Sequence, residues 1–435
     1  MACWGPCRFH RELGLDIYER TNRDAPTDPV LYVQGGPGQK RPIGAGLALR
    51  LVGAVRRNHD VVLYDQRGVG QSQPALDCPE LDLARVEDAK QGTVLGPHAS
   101  ARGAAAVVQC RDRLVGAGAD LAAYTTAESV ADLDDIRSAL GYERVNLFGF
   151  SYGTYLAQAT MRAFPQRIRS VVLDSIVPLD APTQSSPATA DADATLQQIF
   201  DLCGDDPVCG QAFPHLKDTY LRLVARLERQ PARVPLGDSS LGTAVIDATR
   251  FGSHVLRQMA IEPGGVPMLI MTVDRGDYLR LSPRIVEFLR TNQSTSEGYL
   301  LSVKCKELVD APYSPSESGG SGLLSRLVWR YSSLADYCQS WPSDPPDTSF
   351  ASALQSGLPT LVIAGQLDSL TSAARTHQVA RTLPNSFFIE MPGQGHAPGL
   401  YTACGRTIVA EFFDDSAQSP EASCARAAGV VFGIP

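Results

Sequence analysis

A serine, an aspartate and a histidine far apart in this 435-residue chain are the side-chain types that acyl transfer requires. Gly149-Phe150-Ser151-Tyr152-Gly153 reads G-x-S-x-G. In that pattern the glycines let backbone pass close on either side of a strained serine, so that its Oγ projects from a strand-to-helix turn. Five residues with three fixed positions recur by chance, so the context carries the weight. Val145–Phe148 before the motif has strand character, and Thr154–Ala159 after it opens a helical pattern. A serine hydroxyl is a weak nucleophile until a base removes its proton. Among seven histidines, His396 stands in Pro392-Gly-Gln-Gly-His-Ala-Pro398, just after an expected strand at Ser386–Glu390. A base there can reach over the carboxyl edge of a sheet. His377 falls inside a helical pattern, Ser372–Leu383, and reads as a surface or packing histidine. The base needs an acid to fix its tautomer and stabilise the imidazolium. Asp368 follows the expected strand Pro359–Ala364 and is the candidate acid. A helix N-cap or Asx turn is the alternative use of Asp368, with Ser369 or Thr371 able to fill that role instead.

The transition state of acyl transfer places negative charge on the substrate carbonyl oxygen, so two fixed N–H donors are needed. The backbone amide of Tyr152, next to the serine, is one candidate. The other is the amide of Gly36 in Gln34-Gly35-Gly36-Pro37-Gly38, which follows the strand Val30–Val33. The same composition also suits an ordinary tight turn. Lacking G-K-[ST], this is no phosphate-binding loop. In the chemistry so assembled Ser151 attacks a carbonyl, His396 moves the proton, Asp368 orients His396, and water resolves the acyl-enzyme. It calls for no metal and no cofactor.

The elements that must position these groups alternate along the chain. Strands at Val30–Val33, Asp60–Tyr64, Val145–Gly149 and Ile168–Leu173 are separated by helical stretches such as Thr126–Leu140. That order predicts an α/β protein with a mostly parallel sheet covered by helices on both faces. Beyond Asp180 the character changes. Residues 181–198 are small and polar, like a connection, and the stretch after them is mostly helical, as in Asp218–Arg229. Gly/Ser/Pro-rich segments at Pro312–Gly322 and Ser340–Asp347 precede the return of the α/β pattern. The expected organisation is a core in two parts, 1–180 and 351–435, with a mainly helical cap, 181–350, inserted between nucleophile and acid. The chain order Ser…Asp…His is that of the α/β-hydrolase fold.

Three segments together resemble the proline iminopeptidase and tripeptidyl aminopeptidase family of serine hydrolases. They are Gln34-Gly-Gly-Pro-Gly38, Asp65-Gln-Arg-Gly-Val-Gly-Gln-Ser72 and Gly149-Phe-Ser-Tyr-Gly-Thr-Tyr155. Ala163–Asp174 resembles that family's segment after the serine, and Pro359–Cys424 resembles the C-terminal domain of the tripeptidyl type. The insertion matches only loosely, through its cysteines. The resemblance implies an exopeptidase that releases residues or tripeptides from a free N-terminus. Such an enzyme needs its cap to close over the site and present carboxylates to the substrate ammonium. Glu228, Glu262, Glu287, Glu297 and Glu307 are available in the insertion, although the ordinary reading of each is a solvent-exposed carboxylate. Two positions depart from the family pattern: Gln34 stands where the family usually has His, and Ser372 where it usually has Pro. Asp65 and Arg67 are expected to brace loops by hydrogen bonding. A carboxylesterase with the same triad is the rival reading, and a non-catalytic hydrolase-like binding protein is a third. The expected partner is thus a peptide or small ester.

Composition narrows the classes further. Lys plus Arg number 39 and Asp plus Glu 47, a net charge of −8, which lacks the basic footprint of a nucleic-acid binder. No apolar run approaches the ~18 residues of a membrane-spanning helix. Ten cysteines include no C-x-x-C and no zinc ligand set. Their even count favours disulfides and an oxidising compartment, although Met1-Ala-Cys-Trp-Gly-Pro6 has neither a basic nor an apolar leader segment. The expectation is a secreted or extracytoplasmic protein whose signal peptide is not present in this sequence. Sorted by region, Cys78 and Cys110, Cys203 and Cys209, Cys305 and Cys338, and Cys404 and Cys424 fall near one another, with Cys3 and Cys7 as the doubtful pair. Sequence leaves the connectivity open.

Overall fold

Side chains in a strand alternate between the two faces of a sheet, so a strand buried at every position must have both faces covered. In the computed structural model, which describes residues 12–25, 28–42, 52–92, 97–180, 186–238, 240–291, 294–308, 322–324, 327, 334–342 and 350–434, the inner strands are of that kind. The half-buried β1 (Leu15–Tyr18) is followed by β2 (Val30–Val33) and β3 (Val61–Tyr64), whose residues are all buried. Helix α1 (Thr126–Ala139) leads to β4 (Val145–Phe150), α2 (Tyr152–Ala163) and β5 (Ile168–Asp174). The next stretch holds a separate antiparallel hairpin of β6 (Ala232–Pro235) and β7 (Thr243–Ile246) among helices that include α3 (Ala248–Ile261) and α4 (Glu297–Val303). The sheet resumes with β8 (Thr360–Gly365), α5 (Ala373–Ala380) and β9 (Ser386–Met391), and the chain continues through α6 (Pro398–Tyr401) and α7 (Ala403–Asp414). The seven-stranded sheet runs β1-β3-β2-β4-β5-β8-β9, parallel throughout except for β1 against β3. The expected α/β architecture is therefore present.

Leu31, Val33, Val62, Leu147, Val171 and Leu173 meet Val130, Leu133 and Ile136 of α1 and Leu156 of α2 on one face. Val30, Tyr32, Leu63, Phe148, Val172 and Leu361 meet Ile408, Phe412 and Phe413 of α7 on the other. A third cluster, with Leu196, Tyr220, Leu223, Phe251 and Met259, is built mostly from the stretch between β5 and β8. Its late part is not separate from the sheet. Tyr299, Leu301 and Val303 of α4 join the first-face core, and the Tyr299 hydroxyl is 2.9 Å from Ser129 Oγ.

Two local expectations are corrected. Residues 181–198, read as a connection, carry from Ser186 a helix that runs to Asp205. Alternating alanines give it helix propensity, and Leu196, Ile199 and Phe200 bury along it. The edge strand β1 is too short and too half-buried to show a period. The hairpin β6–β7, with Pro235 in one strand, interrupts a stretch read as mostly helical. The Gly/Ser/Pro-rich segments at 312–321 and 343–347 lie outside the described residues, as do Cys3 and Cys7. The other eight cysteines form Cys78–Cys110, Cys203–Cys209, Cys305–Cys338 and Cys404–Cys424, each within one region. Such links act mainly by restricting the unfolded chain. Among the described residues no helix is long and apolar enough to cross a membrane.

Arg67 and Asp65 brace the loops at the sheet's carboxyl end. All five Arg67 N–H groups are used: on both Asp132 carboxylate oxygens (2.6 and 2.7 Å), on Glu128 Oε2 (2.6 Å), and on the carbonyls of Ala123 and Glu128 (2.9 Å each). Asp65 accepts from the Arg41 and Gln71 amides at 2.7 and 2.9 Å and from the Arg41 guanidinium. Removing one partner of such a buried group leaves charge uncompensated. Arg67→Ala is expected to lower the unfolding free energy by about 3 kcal/mol in urea denaturation; an unchanged transition midpoint would contradict the bracing role.

Candidate active site

The turn from β4 to α2 puts Ser151 at φ 53° and ψ −131°, a conformation that a side chain with a Cβ seldom adopts. Its amide donates to the Asp174 carbonyl at 3.0 Å. Its own carbonyl accepts from the Thr154 amide (2.9 Å) and hydroxyl (2.6 Å), and that hydroxyl accepts from the Val177 amide. The glycines of the motif have a steric reason. A Cβ at Gly149 would run into the Gly153 carbonyl, and one at Gly153 would overlap the Val33 carbonyl at the end of β2.

The first glycine-rich loop lies against this turn: a Cβ at Gly35 would stand 3.1 Å from Ser151 Cβ. Gly36, at φ +116°, takes a backbone shape reserved for glycine. Tyr152 is the first residue of α2, so its amide is among those the helix cannot pair internally. Gln34, where a His was the family expectation, is buried. Its carbonyl accepts from Gln66 Nε2 at 3.0 Å, and its own Nε2 donates to the Lys40 carbonyl at 3.4 Å. The Asp65–Ser72 segment therefore holds the loop from beneath.

His396 and Asp368 meet across the ends of β9 and β8, with Nδ1 2.8 Å from Oδ2. Asp368 makes its bond to His396 and the turn bonds of the alternative reading at the same time. Its Oδ1 accepts from the Leu370 and Thr371 amides (2.9 and 3.0 Å), and its Oδ2 from the Thr371 hydroxyl (2.7 Å). Ser372 takes over the cap of α5, accepting from the Arg375 amide. Burial pushes the Asp368 carboxyl up, but the His396 ring and the Thr371 donors outweigh it and hold it below the usual range. Burial likewise pushes His396 down, and Asp368, with a further contribution from Asp174, brings it above the ordinary imidazole value. His377 packs its ring 4.9 Å from Phe388, away from this pair.

Three supports were not legible in the chain. The His396 amide donates to the Ala260 carbonyl of α3 at 2.7 Å, so a helix of the insertion holds the histidine's backbone. The Ser175 hydroxyl accepts from the Ala397 amide at 2.8 Å. Asp174, buried at the end of β5, accepts from the Leu400 amide at 3.0 Å. The available signal for Asp174 was a carboxyl ending an apolar strand, Val171-Val172-Leu173-Asp174. Of the insertion's carboxylates, Glu228, Glu262 and Glu287 are exposed. Glu297 corrects the exposed reading: it is buried and paired with Arg85 at 2.6 Å. Half-buried Glu307 accepts from the Thr126 amide at 2.7 Å.

The chain has the α/β-hydrolase fold, with residues 28–206 matching the alpha/beta hydrolase fold family. Residues 327–424 match the TAP-like protein family. It is 32% identical to the tripeptidyl aminopeptidase of Streptomyces coelicolor over 222 residues, 48% of this chain and 40% of that protein. It is 33% identical to the serine protease Hip1 of Mycobacterium tuberculosis over 172 residues, 36% of this chain and 32% of that one. Proline iminopeptidase of Xylella fastidiosa is 29% identical over 153 residues, 34% and 32% of the two chains. These matches span less than half the length of each relative.

The raised imidazole value fixes a sign. A histidine acting as base must be neutral, so kcat/KM should rise with pH through a midpoint above 6.5 and be lost as pH falls through it; a midpoint below 6.5 would contradict the pairing. Thr371→Val removes one donor from Asp368 and should lower kcat about tenfold, the equivalent of one charge-assisted hydrogen bond of about 1.5 kcal/mol. An unchanged kcat would show that the hydroxyl does not support the acid.

Proposed function

We propose that this chain is a serine hydrolase that works through a covalent acyl-enzyme, and that its substrates are peptides with a free N-terminus. The first part is supported by a serine with positive φ at the end of β4 and a bonded His–Asp pair at the ends of β9 and β8 of the same sheet. β4, β5, β8 and β9 are neighbours, so the loops after them share that edge. Ser151 attacks the carbonyl and passes its proton to His396, and Asp368 stabilises the imidazolium. The Gly36 and Tyr152 amides stabilise the oxyanion. His396 then protonates the leaving amine, and a water activated by the same ring releases the acyl group.

The peptide substrate is supported by the TAP-like segment and by relatives named as aminopeptidases and proteases. In this reading residues 181–350 form the cap that limits how much chain can lie beyond the site. The Ala260–His396 contact ties it to the base. Four disulfides support an extracytoplasmic setting.

Ser151→Ala should lower kcat at least about a thousandfold with the thermal transition unchanged; activity near that of the parent protein would remove the assignment. Tripeptidyl anilides with a free amine should be cleaved at least tenfold faster than their acetylated forms, an advantage of about 1.4 kcal/mol. Activity confined to short acyl esters would instead establish an esterase.

A further inference from the structure

We propose that Asp174 is a positioning residue for His396, fixing the loop that carries the imidazole and setting a second carboxyl beside it. The inference rests on the reading of His396 as the general base. Asp174 sits where the parts of the site converge. Its strand neighbours are Phe150, the residue before Ser151, and Ile363 of β8. Its carbonyl accepts the Ser151 amide at 3.0 Å, while its carboxyl accepts the Leu400 amide, four residues after His396, at 3.0 Å. One residue therefore ties the nucleophile's backbone to the base's loop. The next residue repeats the tie: Ser175, itself at φ 60°, receives the Ala397 amide on its hydroxyl. Gly399 has no room for a Cβ, which would stand 2.9 Å from Asp174 Oδ2, so helix α6 is seated directly on this carboxyl.

A purely structural carboxylate would be neutralised by a cation or fully hydrogen-bonded. Asp174 is neither. No lysine or arginine among the described residues forms an ion pair with it, and its Oδ1 is buried without a hydrogen-bond partner. The titratable groups that act on it or feel it are His396 and Asp368 from the loops after β9 and β8, Tyr401 from α6 and Tyr32 from β2. Among these, only the imidazole can supply a positive charge. Burial raises the carboxyl to about 7, with His396 and the Gly399 and Leu400 amides favouring the anion. When His396 takes the Ser151 proton, the ion so formed faces two carboxyl groups, Asp368 in contact and Asp174 behind the loop.

The sign follows. Asp174 raises the His396 value, so neutralising it must lower that value. In Asp174→Asn, which keeps the size and an acceptor oxygen, the acid limb of kcat/KM should move down by at least half a pH unit. kcat should fall about tenfold, with KM within twofold of the parent. A strand-end role alone would reduce kcat and leave the limb in place, and that result would overturn the proposal. A second measurement needs no variant. NMR titration of the His396 imidazole in the parent protein should give a midpoint above 6.5; a midpoint at or below 6.5 would also overturn it. This titration is read without turnover. Failure there counts against Asp174, whereas full activity of Ser151→Ala would count against the triad itself.

Discussion

One backbone conformation constrains the rest of this site. Holding a serine at φ 53° and ψ −131° costs roughly 1–3 kcal/mol, and such a residue persists only where its surroundings over-determine it. Here those surroundings are specific. The strand register puts Asp174 opposite Phe150 so that its carbonyl takes the Ser151 amide, and Thr154 closes the turn from the other side. Gly149 and Gly153 let the turn lie against β2 with no side chain between. Helix α2 is buried from Tyr152 to Met161, and that packing offsets the local cost. The strained backbone of Ser151 is thus a consequence of how β2, β4 and β5 pair.

The electrostatics are set at the same edge. His396 lies beside the Asp368 and Asp174 carboxyls, and its hydrogen bond to Asp368 orients the ring. The pair bears on stability in a definite window. The depressed Asp368 contributes above its unfolded value of about 3.9 and loses that contribution as pH falls through its folded value. The raised His396 contributes below about 6.5 and loses it as pH rises through its folded value. The pair's contribution is therefore largest between those unfolded values, in mildly acidic solution, while base catalysis requires the higher side. The stretch between β5 and β8 also reaches the histidine, because Ala260 of α3 accepts its backbone amide.

Much of this was legible in the chain because it depends on local chemistry. Val30–Val33 and Val145–Phe150 read as strands because continuous apolar runs mark strands covered on both faces. Ser151, Asp368 and His396 stood out because each follows a strand end in the chain order of the fold. What escaped notice depends on distant partners. Ala260 enters through its carbonyl, which has no side-chain signature at all. Glu297 looked like any surface acid until Arg85, over two hundred residues earlier, met it in space. Asp174 looked like the end of a strand, and only the fold reveals that its carboxyl holds residues that follow His396. β1 and the β6–β7 hairpin were missed because four residues are too few to establish a period.

The central claim is that Ser151 becomes covalently acylated with His396 as its base. The most direct measurement is reaction with a fluorophosphonate followed by peptide mass mapping. A single adduct on the peptide carrying Ser151, formed rapidly in the parent protein and at least about a hundredfold more slowly in His396→Ala, is the expected result. An adduct elsewhere, or labelling of Ser151 at the same rate without His396, would contradict it.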